Sequence, residues 1–482
     1  MTSLEIPPGQ QFIDGEWVGA RDGRELEIVD PATHEPFTTV ARAGVQDVDD
    51  AVDAASRAFP AWAVLNASER GSLIRRWADL IMENVEGLAA IEARDVGKPL
   101  SGGRLNMYIA HGIVDYFAGA ADKLTGVTLP TRSPEFLGFT IPEPYGVCAV
   151  VLPWNVPAIL TAANVAPALA AGNTVVLKPS EIAPLSPFAL VELARQAGFP
   201  PGVLNVVAGL GPEAGAALSS HPRVKHISFV GSTTTGKAIM SAAAQNLAPV
   251  KLELGGKSPN VVFADADLDT AIPAIVASIT ENAGQNCYAG SRLVVESSIH
   301  GEVVDRLAAA MSAIRSGPWD ADLDMGPLVS AAQFDRVRGF LEQAPRDGAR
   351  TVTGGRAGQD GWYIEPTVYD DVDHDSRIVR EEVFGPVLAV QTFDRTPQAI
   401  ELMNGTDFGL LSCIWTNDIS RALTIAKQVH SGQVAVNQFQ DSGVIGFPFN
   451  MQKDSGFSRG GGYNAMREYT QEKAVAVRLL GS

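Results

Sequence analysis

Val147-Cys148-Ala149-Val150-Val151-Leu152, followed by Pro153-Trp154-Asn155-Val156-Pro157, is the stretch on which the fold turns. An unbroken apolar run this short, rich in valine, reads as a strand buried on both faces. Pro157 then opens a helix, because the N–H it lacks has no partner in a first turn anyway. The unit repeats. Strands are expected over 174–177, 203–207 and 226–230, with helices over 157–171, 187–197, 212–219 and 235–244. Residues 250–254 and 261–263 follow as further strands. Such alternation specifies an α/β fold with a doubly wound parallel sheet of the nucleotide-binding kind.

Working outward, apolar residues at helical spacing predict helices over 47–59, 67–98 (two, divided near 84–87) and 106–122. The Thr- and Pro-rich segment 128–144 contains a strand near 136–141 and reads as an excursion from the main body. A second α/β stretch runs from about 265 to 461. Residues 469–480 read as a terminal edge strand in need of a partner.

Bulk properties narrow the function. A chain of 482 residues exceeds one core, and 46% hydrophobic with 19% charged residues describes a globular protein. A net charge of −18 argues against nucleic acid and anionic lipid as partners. The most apolar region, 147–171, is interrupted by Pro153, Asn155, Pro157, Asn164 and Pro167, so no membrane-spanning helix is expected. Residues 1–8 do not read as a secretory signal. Cys148, Cys287 and Cys413 make no disulfide framework, and a cytoplasmic location is expected. Seven histidines without ligand spacing predict no metal site, and 371–375 reads as a solvated acidic turn.

Several motifs lie at expected strand ends, where this architecture binds ligands. Leu252-Glu253-Leu254-Gly255-Gly256-Lys257 offers a carboxylate beside two glycines. Gly284-Gln285-Asn286-Cys287-Tyr288 offers a thiol in a polar turn, whereas Cys148 and Cys413 sit in apolar strands. A soft nucleophile plus a base that activates water equips a protein for covalent capture and hydrolytic release of an acyl group. Gly231-Ser232 at a helix start suits a phosphate, or is an ordinary cap. Lys178 and Glu181 suit a ribose, or form a surface loop. Asn155 suits an oxyanion, or caps the helix at Pro157. The glycine-rich segment 209–215 has one residue too many for a dinucleotide turn. Glu382 and Phe384 precede a Gly-Pro turn.

Together with 139–147 and in this chain order (153–155, 172–181, 229–233, 252–257, 284–287, 381–387), these stretches resemble the aldehyde dehydrogenase superfamily over nearly the whole chain. The resemblance implies NAD(P)-dependent oxidation of an aldehyde to the acid, of the hydrolytic, non-CoA-acylating type. Cys287 is then the nucleophile, Glu253 the base that activates water, and Asn155 the oxyanion donor. Trp154, Lys178, Glu181, Gly211, Phe229, Gly231, Ser232, Leu254, Glu382 and Phe384 would bind NAD, with NADP as the other cofactor in view. Val156, Leu160, Ala163, Asn286, Tyr288, Asp441 and Phe449 would line the substrate pocket. It also implies a dinucleotide-binding domain (1–124 and 144–256), a catalytic domain (257–463) and a small β oligomerisation arm (125–143 and 464–482) in a homodimer or homotetramer.

The chain departs from the family pattern where Ala163 and Asn164 replace an aromatic residue and a lysine, where Tyr288 replaces a small residue, and at 455–461. Together with the absence of a carboxylate-reading arginine, this points to a bulky apolar or aromatic aldehyde. Asp441 keeps an aminoaldehyde in view. A CoA-acylating enzyme and a silent NAD-binding protein are the competing functions.

Overall fold

The computed structural model describes residues 6–358, 361–439 and 444–479. The strand Val147–Val151 is buried throughout and lies inside an eight-stranded sheet. Five strands run parallel there, in the spatial order Leu204–Val206, Thr174–Lys178, Val147–Val151, Val224–Val230, Val250–Glu253. The winding therefore reverses between the Val147 and Val224 strands, and such a reversal opens a crevice at the carboxyl ends.

Alternate side chains of the central strand feed two cores. Cys148 and Val150 pack with Trp77, Val165 and Phe188 on one face. Ala149 and Val151 pack with Val48, Phe229 and Ile239 on the other. A hairpin, Gln10–Ile13 with Glu16–Gly19, closes one edge of the sheet. Gly456–Phe457 closes the other, antiparallel to Leu252 and Glu253. A seven-stranded second sheet has Pro259–Val262 between Arg292–Glu296 and Leu411–Trp415, all parallel. A third, three-stranded sheet joins Thr470–Arg478, Phe136–Pro144 and Thr128–Leu129, with Thr470–Arg478 at its edge. Among the described residues no helix is long and apolar enough to cross a membrane.

The α/β architecture is as expected, with local differences. The strand at 261–263 does not extend the first sheet. Parallel neighbours need a crossover of about a dozen residues, and the link from Glu253 to Pro259 is too short, so the chain passes into the second sheet. The segment expected as one helix at 212–219 is a wide turn, Gly211–Gly215, opening the short helix Ala216–Ser220. The helix expected from 106 begins at Leu100. The early strands Gln10–Ile13, Glu16–Gly19, Glu25–Val29 and Pro36–Ala41 were not anticipated, because runs this short carry little periodic signal.

Candidate active site

The crevice holds a cavity of about 620 Å³, lined by Trp154, Asn155, Gly231, Leu254, Cys287 and Phe384 among others. They come from five separate loops or strand ends, Trp154 and Asn155 sharing one. The 153–157 loop leaves the Val147 strand, and its helix is capped by Val156, with no side-chain bond. Asn155 is therefore not the cap; it is buried and faces the cavity.

Glu253 ends its strand and is buried. Burial pushes its carboxyl above the usual range; the Lys251 cation on the same strand pulls it down and Glu468 pushes it up. Cys287 follows three consecutive left-handed residues, Asn282 (φ 51°), Ala283 (φ 54°) and Gly284 (φ 71°), which turn the chain back after the helix Leu268–Thr280. Its Sγ lies 4.0 Å from Glu253 Oε1. The two motifs approach so closely that a Cβ on Gly256 would sit 2.1 Å from the Cys287 carbonyl oxygen. Burial raises the Cys287 thiol well above its ordinary value. The Glu253 and Glu382 carboxylates raise it further, and the backbone N–H groups of Tyr288 and Cys287 oppose this. The resting thiol is thus protonated and needs a base or an incoming positive charge. Cys148 and Cys413 are buried within strands, as expected.

On the opposite wall, Ser232 caps the helix Thr233–Ala243, accepting from the Thr235 N–H at 3.3 Å. Capping and anion binding coexist there, since Gly231, Ser232, Thr233 and Thr234 all line the cavity. A Cβ on Gly231 would strike the buried Phe229 ring at 2.6 Å, so the packing there admits only glycine. Glu382 Oε1 accepts from the Gly256 N–H at 3.0 Å, and burial pushes this carboxyl up to about 7 against that bond and the Lys257 and Arg336 cations. Phe384 holds a left-handed backbone (φ 59°) and meets Trp154 edge-on, ring centroids 5.4 Å apart.

Other expected site residues lie farther out. Lys178 donates to Glu181 at 3.2 Å, and its stem packs 3.8 Å from where a Gly215 Cβ would be; Gly211 starts that same turn. None of these lines the main cavity. Val156 and Leu160 do, whereas Ala163, farther along the helix Pro157–Ala170, does not. Asn286 is buried, its amide donating to the Glu281 carbonyl at 3.4 Å. Tyr288 packs on Phe439, ring centroids 5.9 Å apart. Phe449 pairs with Gly460 and is half-buried, away from the cavity lining. Asp441 lies outside the described residues.

Sequence reasoning missed a buried layer behind the cavity: Glu92, Lys98, Lys251 and Asn282. Asn282 left one signal, since Asn-Ala-Gly favours left-handed turns. The others carry no local signal that sets them apart from surface charges.

A doubly wound sheet with a glycine-lined crevice at its switch point, and a thiol beside a carboxylate in that crevice, fit a nucleotide-binding enzyme. Comparison gives the family. The sequence model of the aldehyde dehydrogenase family matches residues 17–475. An aldehyde dehydrogenase of Emericella nidulans is 41% identical, over 99% of this chain and 98% of its own length. Human retinal dehydrogenase 2 is 41% identical, over 99% of this chain and 93% of its own length. The crystal structure of betaine aldehyde dehydrogenase from Staphylococcus aureus in complex with NAD+ superposes with a TM-score of 0.97 at 36% identity, covering 100% of this chain and 97% of that one. The chain belongs to the aldehyde dehydrogenase family and is an oxidoreductase that converts aldehydes to acids.

Proposed function

We propose that the chain is an NAD-dependent, hydrolytic aldehyde dehydrogenase working through a Cys287 thioester on bulky apolar or aromatic aldehydes. One observation carries the reading: Cys287 Sγ and Glu253 Oε1 lie 4.0 Å apart, with Asn155 on the same cavity. Cys287 adds to the aldehyde carbon, and the Asn155 amide with the Cys287 N–H holds the resulting oxyanion. Glu253 takes a proton from the water that releases the acid, and the positive charge of NAD+, when bound, would favour loss of the Cys287 thiol proton.

The residues present fit a dinucleotide. Gly231 and Ser232 supply a helix N-terminus with no side chain in the way, Leu254 and the Trp154–Phe384 pair flank the cavity, and Glu382 is held towards it by the Gly256 N–H. Phe229 supports Gly231 from below, Gly211 starts the turn beside Lys178, and Lys178 and Glu181 take the adenosine ribose. NAD+, when bound, supplies the hydride acceptor that turns the captured aldehyde into a thioester. Glu181 repels a 2′-phosphate, which favours NAD over NADP.

The Tyr288–Phe439 ring pair, beginning at the residue after Cys287, supports a bulky apolar substrate, as does the likeness to retinal dehydrogenase 2. The likeness to betaine aldehyde dehydrogenase supports an aminoaldehyde as the second reading. Leu129, Leu137 and Val477 expose apolar side chains on the three-stranded sheet, which supports a role for that arm in a homodimer or homotetramer. The test is an aldehyde panel, aliphatic against aromatic against amino-substituted, followed at 340 nm with acid measured in the absence of CoA. Aromatic substrates should lead and acid should form. Acid formation that requires CoA, or no reduction of NAD with any aldehyde, would overturn the reading.

A further inference from the structure

Asn155 Oδ1 is buried with no hydrogen-bond partner among the described residues. What constrains this residue is its main-chain carbonyl. Lys98 Nζ donates to it at 3.0 Å and Asn282 Nδ2 donates to it at 3.0 Å. The two donors come from separate places, one just past the helix Val85–Val96 and the other in the left-handed turn that leads to Cys287.

Each donor is itself fixed. Lys98 is paired with Glu92 at 3.1 Å, their side chains 3% and 0% exposed. Glu92 accepts four hydrogen bonds, from Lys98, Asn106, Ser186 and the Ala158 N–H. The Ala158 bond fastens the first turn of the helix that follows the 153–157 loop. A buried ion pair is weak support for stability, because desolvation offsets its attraction; here it aims an ammonium at one carbonyl. Asn282 also donates to the Gln285 carbonyl at 3.3 Å, and Gln285 in turn accepts from the Val329 N–H at 3.0 Å. The carbonyl of Asn155 is thus the point where the loop carrying the amide and the turn carrying the thiol are joined.

We propose that Lys98 and Asn282 are positioning residues, which grip the Asn155 carbonyl and so fix where its amide points relative to the Cys287 sulfur. The proposal rests on Asn155 being the oxyanion donor. Such a donor works through preorganisation, and slack of about an ångström is enough to lose roughly a hundredfold in rate.

Asn282→Gly removes the donor and keeps the left-handed backbone that glycine adopts freely. It should lower kcat/KM for aldehyde by roughly tenfold to a hundredfold, with the Kd for NAD, read by fluorescence titration, unchanged. Placed on Asn155→Ala, the same substitution should cost less than about twofold, since the group it positions is gone. Lys98→Met paired with Glu92→Gln, which leaves no buried unpaired charge, should behave alike. Additive losses in the double variants, or a kcat/KM unmoved by Asn282→Gly, would overturn the positioning role. If Asn155→Ala alone leaves kcat/KM intact, the oxyanion assignment fails, and the positioning role with it.

Discussion

Lys251 donates to Asn164 Oδ1 at 2.9 Å, so a buried cation two residues before Glu253 is anchored to the helix across from its strand. Asn164 also accepts from Ser228 at 2.8 Å, which fixes its orientation. This lysine lowers the proton affinity of Glu253, which burial and Glu468 raise. As the proposed base, Glu253 would work as a carboxylate. With the cation removed it stays protonated to higher pH, so the acidic limb of kcat in Lys251→Met moves towards alkaline pH. Turnover near pH 6 should fall on the order of tenfold, and a pH–rate profile of both proteins measures this. An unmoved limb would show that the lysine does not act on the base.

Glu253→Gln should separate capture from release. The amide cannot take a proton from water, so one equivalent of NADH per active site should form in a rapid burst. Steady turnover should then be slower by about two to four orders of magnitude. Stopped-flow absorbance at 340 nm reads both phases.

Glu181→Gln removes a negative charge from the loop where Lys178 and Glu181 meet at 3.2 Å. The ratio of kcat/KM for NAD over NADP should narrow by roughly tenfold. A ratio that does not move would place the adenosine end of the cofactor elsewhere.

Tyr288→Ala removes the ring that packs at a tilt against Phe439. Aromatic aldehydes should lose about tenfold in kcat/KM, the size of one ring–ring contact with its buried area, while short aliphatic aldehydes change little. Competition between the two classes in one cuvette gives the ratio directly.

Gly256→Ala places a methyl where the Cys287 carbonyl oxygen lies 2.1 Å away. Both partners are backbone, so the nucleophile turn must shift. Activity should fall by more than about a hundredfold, and alkylation of Cys287 by iodoacetamide should change in rate with it.

Trp154, Asn155, Gly231, Leu254, Cys287 and Phe384, which face the cavity, were legible in the sequence because their surroundings are unusual, whereas Gln333, Arg336 and Asp407, which also line it, were not. Glycine pairs, a thiol in a polar turn and an asparagine between prolines each break the local pattern, and fixed chain order tied them together. The support behind them was not legible. Lys98 follows Gly97 at a helix end, where a lysine normally serves the dipole in solvent, and nothing local says that Glu92 and Asn155 will enclose it. Lys251 stands in a strand whose alternation gave no warning of a charge facing inward. Partners distant in sequence decide such cases, and one chain alone does not reveal them. The edge at Gly456–Phe457 escaped for the same reason.

That edge has a consequence for how the enzyme comes into being. The Leu254 N–H donates to the Ser455 carbonyl, and the Ser455 hydroxyl donates to the Gly255 carbonyl across 200 residues of chain. During synthesis the strand bearing Glu253 leaves the ribosome long before its outer neighbour exists. A nascent polypeptide that has already made the other strands of this sheet still has an unzipped edge beside Glu253 until residues 455–457, near the end of translation, supply the fastener.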